Sequence, residues 1–351
     1  VVRRAGQYRL LAVICLVALF GTWFAAFHVG LFEHADQSVF SGFADLNQHP
    51  RVSALATYIA RLCDPQPFVF LALIPVAVAV LRGRPRLAIA IAAILLGANV
   101  TTELLKPLLA HPRAAWLLGG RAPVAAASWP SGHATAAMSL TLASVLAAPG
   151  RLRPVVATLG AGFTAAVSYS FLTLGWHYPS DVFGGFLVAA SWTLAVVAAL
   201  LSAEQRHAPS TSDPPSVAQG ARMSLRGALA PPGAALLGAV GLAVAVAVAR
   251  PQQVVVYARA HEAFVVGATA IGALALLLAT GLMLVLRRSA LSRSGRHASR
   301  SAVVPELPPP SPSRYLDARQ ARQSPSPGRA PSPVQPMSEG TTPSPTTGSP
   351  D

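Results

Sequence analysis

Eight stretches of the chain, near residues 8–29, 66–81, 87–105, 134–149, 154–174, 182–202, 233–249 and 263–286, are dominated by apolar residues and carry very few charges. A helix of about 20 such residues crosses the roughly 30 Å of bilayer hydrocarbon, where a helix or a closed barrel is the only way to satisfy every backbone group. The pattern predicts an all-α fold, a polytopic transmembrane helix bundle of eight spans. The second and fourth stretches are the shortest, which fits a tilted or partly sheltered placement. No repeat of fixed period runs through them.

The polar segments between the apolar runs divide the chain. Residues 1–65 read as an N-terminal anchor helix with an outer loop, and 66–202 as the remaining helices of a six-helix core. Residues 203–230 form a polar linker, 231–288 a C-terminal transmembrane helix pair, and 289–351 a tail. The tail holds 13 prolines from Pro305 onward, among many Ser, Thr and Arg. Such a composition buries too little apolar surface to offset chain entropy, so disorder is expected there, and it names no protein partner. Although Arg3, Arg4 and Arg9 precede the first apolar run, its length and the want of a small-residue cleavage site favour a retained anchor over a signal peptide.

Composition supports the membrane reading, with 53% hydrophobic and 11% charged residues in 351. A net charge of +14 would suit a nucleic-acid binder, but the basic residues are scattered between apolar runs and form no single stripe, so nucleic acid is not an expected partner. Membrane topology accounts for them. With the N-terminus cytoplasmic, 20 basic residues fall inside and seven outside, the bias expected when basic loops resist translocation. Both termini are then cytoplasmic, and the loops after spans one, three, five and seven face outward across the cell membrane. Of the 27 basic residues 26 are Arg, which singles out Lys106 as a position where lysine itself is needed. Cys15 and Cys63 form neither a disulfide framework nor a metal-ligand spacing.

Three segments place ionisable residues at span ends on that outer side. The third span closes with Asn99, Glu103 and Lys106, spaced to share one helix face, and Arg113 follows in the next loop. Alone, these would be interfacial charges of the kind common at helix ends. Trp129-Pro130-Ser131-Gly132-His133 precedes the fourth span. Ser131 suits the N-cap of that helix, Gly132 permits close backbone approach, and the helix N-terminus attracts an anion beside His133. Gly175-Trp176-His177-Tyr178-Pro179-Ser180-Asp181 precedes the sixth span. Asp181, four residues after His177, is placed to accept the imidazole Nδ1 proton and leave the Nε2 lone pair for chemistry. By itself that pair would equally be a structural cap. Trp116, Trp129 and Trp176 lie in the same regions, either as interface anchors or lining the approach to a site.

Topology brings the three segments to one side. Two helix N-termini, two histidines and two cations there call for a multiply charged anion, and phosphate fits best. One imidazole can attack phosphorus while the other protonates the leaving oxygen, chemistry that requires neither a metal nor a cofactor.

Together, Lys106 and Arg113, Pro130-Ser131-Gly132-His133, and His177 with Asp181 resemble the type 2 phosphatidic acid phosphatase superfamily over roughly residues 60–200. The resemblance implies a six-helix phosphatase core in which Lys106, Arg113, Ser131 and Gly132 hold phosphate. It also implies His177 as the nucleophile that forms a phosphohistidine, Asp181 as its orienter and His133 as the general acid. Two positions depart from the family pattern. Ala114 stands where a proline is usual, and Phe171 stands where an arginine is usual, leaving Arg121 as the nearest cation to substitute in phosphate binding. The expected function is hydrolysis of a lipid phosphate or diphosphate: a phosphatidate-like lipid, a polyprenyl diphosphate such as undecaprenyl diphosphate, or phosphatidylglycerol phosphate. The alternatives are a lipid phosphotransferase using the same site and a catalytically weak lipid-binding or scaffold protein.

Overall fold

The computed structural model describes residues 2–110, 124, 126–206 and 224–301. Regular structure among them is helical: α1 (Val2–His28), α2 (Gly30–Leu46), α3 (Pro50–Ala60), α4 (Pro65–Leu81), α5 (Pro85–Leu108), α6 (Gly132–Ala147), α7 (Arg153–Thr173), α8 (Pro179–Arg206), α9 (Leu225–Ala249), α10 (Pro251–Ala260) and α11 (Glu262–Ser301). A short 3-10 turn, Arg61–Cys63, joins α3 to α4. Five helices open on proline, whose fixed φ suits the first turn and whose missing N–H costs nothing there.

The eight apolar stretches fall on α1, α4, α5, α6, α7, α8, α9 and α11. Six of these, α1, α5, α7, α8, α9 and α11, are each long and apolar enough to cross a bilayer. The other two show why their sequences are short. α4 continues α3 across a 57° bend. α6 has 16 residues, about 24 Å of helix, but lies almost wholly buried among α4, α5, α7 and α8 and need not meet lipid along its length.

The outer surface is apolar, unlike that of a soluble protein, and the apolar interior is threaded with hydroxyls. Leu10, Val17, Phe20, Phe24, Phe70, Leu73, Ile89 and Leu96 face outward, while Thr102, Thr135, Ser139, Thr141, Thr164 and Ser168 are buried. The inner hydroxyls bond across helices: Thr102 to Thr135 at 2.9 Å and Thr141 to Thr164 at 2.9 Å. Small residues bring backbones together, and a Cβ on Gly185 would stand 2.7 Å from the Ser131 carbonyl oxygen. The chain is a multi-pass membrane protein.

The remaining helices, α2, α3 and α10, are more polar. α2 grips the start of α8: buried Asp36 accepts from the Ser180 amide at 2.8 Å and from its hydroxyl at 2.6 Å, and Phe40 lies 4.7 Å from the Tyr178 ring. The same helix receives the C-terminal pair. His261 pairs with Asp45 at 3.0 Å, Tyr257 donates to the Gly42 carbonyl, and Phe43 packs edge-on against Phe264 at 4.7 Å.

Candidate active site

Four helix ends converge at one end of the bundle. α5 ends with Lys106, α6 begins with Gly132 and His133, α8 begins just after His177, and α4 begins just after Asp64. The α6 start is built as its sequence suggests. Ser131, fully buried, is the N-cap, its Oγ accepting from the Ala134 amide at 3.3 Å, and its own amide donates to the Asp181 carbonyl at 3.0 Å. That backbone bond ties the second motif to the third.

His177 is delivered by the turn that ends α7. Gly175 adopts φ +73°, and the amides of Gly175 and Trp176 return to the carbonyls of Leu172 and Phe171, each at 3.0 Å. This is the paired C-terminal closure that favours glycine, since any side chain is strained at that φ. The His177 Nδ1–H then donates to Asp181 Oδ2 at 3.3 Å, and the same oxygen accepts the Tyr178 amide at 3.0 Å. Asp181 is fully buried, so its carboxylate is held without competition from water. Nε2 of His177 is the ring nitrogen that Asp181 does not engage.

The two imidazoles are neighbours, edge to face with centroids 6.4 Å apart. Lys106 reaches over Gly132, whose Cβ, if it had one, would lie 3.3 Å from the ammonium and 3.1 Å from Glu103 Oε1. Glu103 accepts from Lys106 at 2.6 Å, an exposed pair that a more highly charged anion can displace. Phe171 is fully buried against both histidines, 5.2 Å from the His177 ring and 5.9 Å from that of His133. The half-exposed ring of Trp176 stands 5.5 Å from His133 at the edge of the site, whereas Trp129 is fully buried and packs against Gly184. Among the described residues no group of three or more His, Cys, Asp or Glu is arranged to hold a metal ion.

Lys106, Ser131, Gly132, His133, His177 and Asp181 are thus gathered in one place, while Arg113 and Arg121 lie outside the described residues. Over residues 86–204 the chain matches the PAP2 superfamily. This part of the chain belongs to that superfamily. No curated protein and no solved structure matches. Membership supports a phosphatase-type, hydrolytic activity. The PAP2 region contains every site residue named from the sequence.

Two carboxylates that touch the site lie N-terminal to the PAP2 region. Asp64 accepts from the Nε2–H of His133 at 3.0 Å, and Asp36 holds Ser180 between His177 and Asp181. In the sequence Asp64 offers only a helix-start signal, an Asp directly before Pro65, and Asp36 is one of several acids in an amphipathic stretch. Neither spacing predicts a partner on a distant helix.

Proposed function

We propose that the protein is a phosphatase that hydrolyses a lipid phosphate or diphosphate through a phosphohistidine on His177. The observation that carries this reading is the neighbouring pair of imidazoles, one held by buried Asp181, beside a helix N-terminus and the ammonium of Lys106. The phosphoryl group would lie against the start of α6, held by Lys106, Arg113, Ser131 and Gly132. His177 Nε2 attacks phosphorus as the P–O bond to the lipid breaks, and His133 gives its proton to the departing oxygen. The neutral His133 then takes a proton from water as that water attacks the phosphohistidine, releasing inorganic phosphate and restoring both imidazoles. The outward-facing apolar surface supports a substrate that approaches from the bilayer.

Phosphate release by the purified protein in detergent, measured on dioctanoyl phosphatidate, undecaprenyl diphosphate and phosphatidylglycerol phosphate, tests the reading. Turnover of at least one supports it, and none on all three removes it. A phosphotransferase would show product formation that depends on an added alcohol.

Phe171 gives a second test. A buried benzyl group where the superfamily resemblance expects arginine leaves one charge-assisted phosphate contact unmade, worth about 1.5–3 kcal/mol. If Arg121 supplies it, Arg121→Ala should raise KM or lower kcat about tenfold or more, and Phe171→Arg should partly rescue that variant. Parent-like kinetics in both variants would show that no third arginine contact is used.

The site faces away from the cytoplasm on the charge bias of 20 to seven. Exposed Ala126, changed to Cys in a Cys63→Ala background, should react with an impermeant thiol reagent in intact cells. Labelling only after permeabilisation would invert the orientation.

A further inference from the structure

Asp64 occupies the N-cap position of α4, directly before Pro65, where an aspartate ordinarily accepts a first-turn amide of its own helix. Its side chain makes no such bond. The chain instead breaks between α3 and α4 with a 57° bend, and the carboxylate is spent across the bundle on His133 Nε2 at 3.0 Å. The two His–Asp pairs are therefore complementary: Asp181 takes Nδ1 of His177 and leaves Nε2, whereas Asp64 takes Nε2 of His133 and leaves Nδ1.

We propose that Asp64 is the positioning residue of the proton-delivering imidazole, fixing His133 so that Nδ1 meets the departing oxygen and stabilising its protonated form between turnovers. This deepens the phosphohistidine reading and rests on it. When His133 gives its Nδ1 proton to the leaving oxygen, the Nε2 proton stays on the bond to Asp64; when His133 accepts a proton from the attacking water, the carboxylate balances the imidazolium. Asp64 neither bonds to phosphorus nor gains or loses a proton over the cycle. A purely capping role does not account for a carboxylate that caps nothing, and the break between α3 and α4 is what presents it to the site.

The charged and titratable groups around His133 are Asp64 at the α3–α4 break, His177 before α8 and Lys106, with its partner Glu103, on α5. Asp64 is the acid bonded directly to the ring. Its loss makes the imidazolium harder to hold, so the protonated acid is exhausted at lower pH.

The test uses the full-length protein in detergent with two substrates, dioctanoyl phosphatidate, whose leaving alkoxide needs a proton, and p-nitrophenyl phosphate, whose leaving phenolate does not. Asp64→Asn should lower kcat on phosphatidate about 10- to 100-fold with KM changed less than about threefold, while the p-nitrophenol burst changes less than about threefold. The alkaline limb of kcat/KM should move to lower pH. Asp64→Glu should recover part of the phosphatidate rate and return the limb toward that of the parent, and it carries the same comparison should Asp64→Asn fail to elute as folded protein. Equal losses on both substrates, or an unmoved alkaline limb, overturn the proposal and leave the phosphatase reading standing. A parent protein that turns over neither of these substrates, nor undecaprenyl diphosphate or phosphatidylglycerol phosphate, overturns the reading itself.

Discussion

Replacing His177 with alanine is expected to abolish turnover on every substrate, because the proposed covalent route runs through its Nε2. The effect should be the largest of any single change. The His177 imidazole is the ring whose Nδ1 is held by a fully buried carboxylate, and its position depends on the left-handed Gly175 turn and on the backbone bond from Ser131 to Asp181. Removing the ring leaves the anion cradle and the second imidazole intact, so phosphate affinity should survive while the covalent route is lost. Measured phosphate release should fall to the uncatalysed background, and inorganic phosphate should still protect the variant against thermal unfolding. A variant that keeps a hundredth or more of the parent rate would require water to attack phosphorus directly, and the nucleophilic assignment would be wrong.

His133→Ala is expected to have the second largest effect, and a selective one. General acid catalysis contributes typically 10²–10⁴-fold, and that factor applies only where the leaving oxygen needs a proton. With an alkyl phosphate, kcat should fall by about that amount. With p-nitrophenyl phosphate the phosphoenzyme should still form at a rate near the parent's, and the slow step should move to hydrolysis of the phosphohistidine, where His133 serves as base. A burst followed by slow release would report this change directly. Equal losses on both substrates would assign His133 to phosphate binding instead.

Residues close in sequence were legible because helix geometry alone brings them together. His177 and Asp181 stand four apart at a helix start, and Lys106 and Glu103 three apart at a helix end. The apolar runs were legible because hydrocarbon demands length and composition, and even the two short runs proved short for reasons seen in the packing: a bend before α4 and burial around α6. The amphipathic helices α2, α3 and α10 carry too many polar residues to register as spans, and their partners are set by tertiary contact. Asp36 reaches Ser180 across 144 positions and Asp64 reaches His133 across 69, distances over which no local periodicity predicts a pairing. The burial of Phe171 against both histidines was likewise hidden, since its sequence neighbours give no sign of the rings it meets.

Transfer of the phosphoryl group to His177 is open to direct test by trapping the covalent intermediate. Purified parent protein would be mixed with a substrate carrying a radiolabelled phosphoryl group, quenched in alkali within the first turnover, and mapped by peptide. A phosphohistidine at His177 should put label on the peptide containing that residue, stable to alkali, lost in acid, and absent from His177→Ala. Label on another residue, or no protein-bound label while phosphate is released in the first turnover, would contradict it.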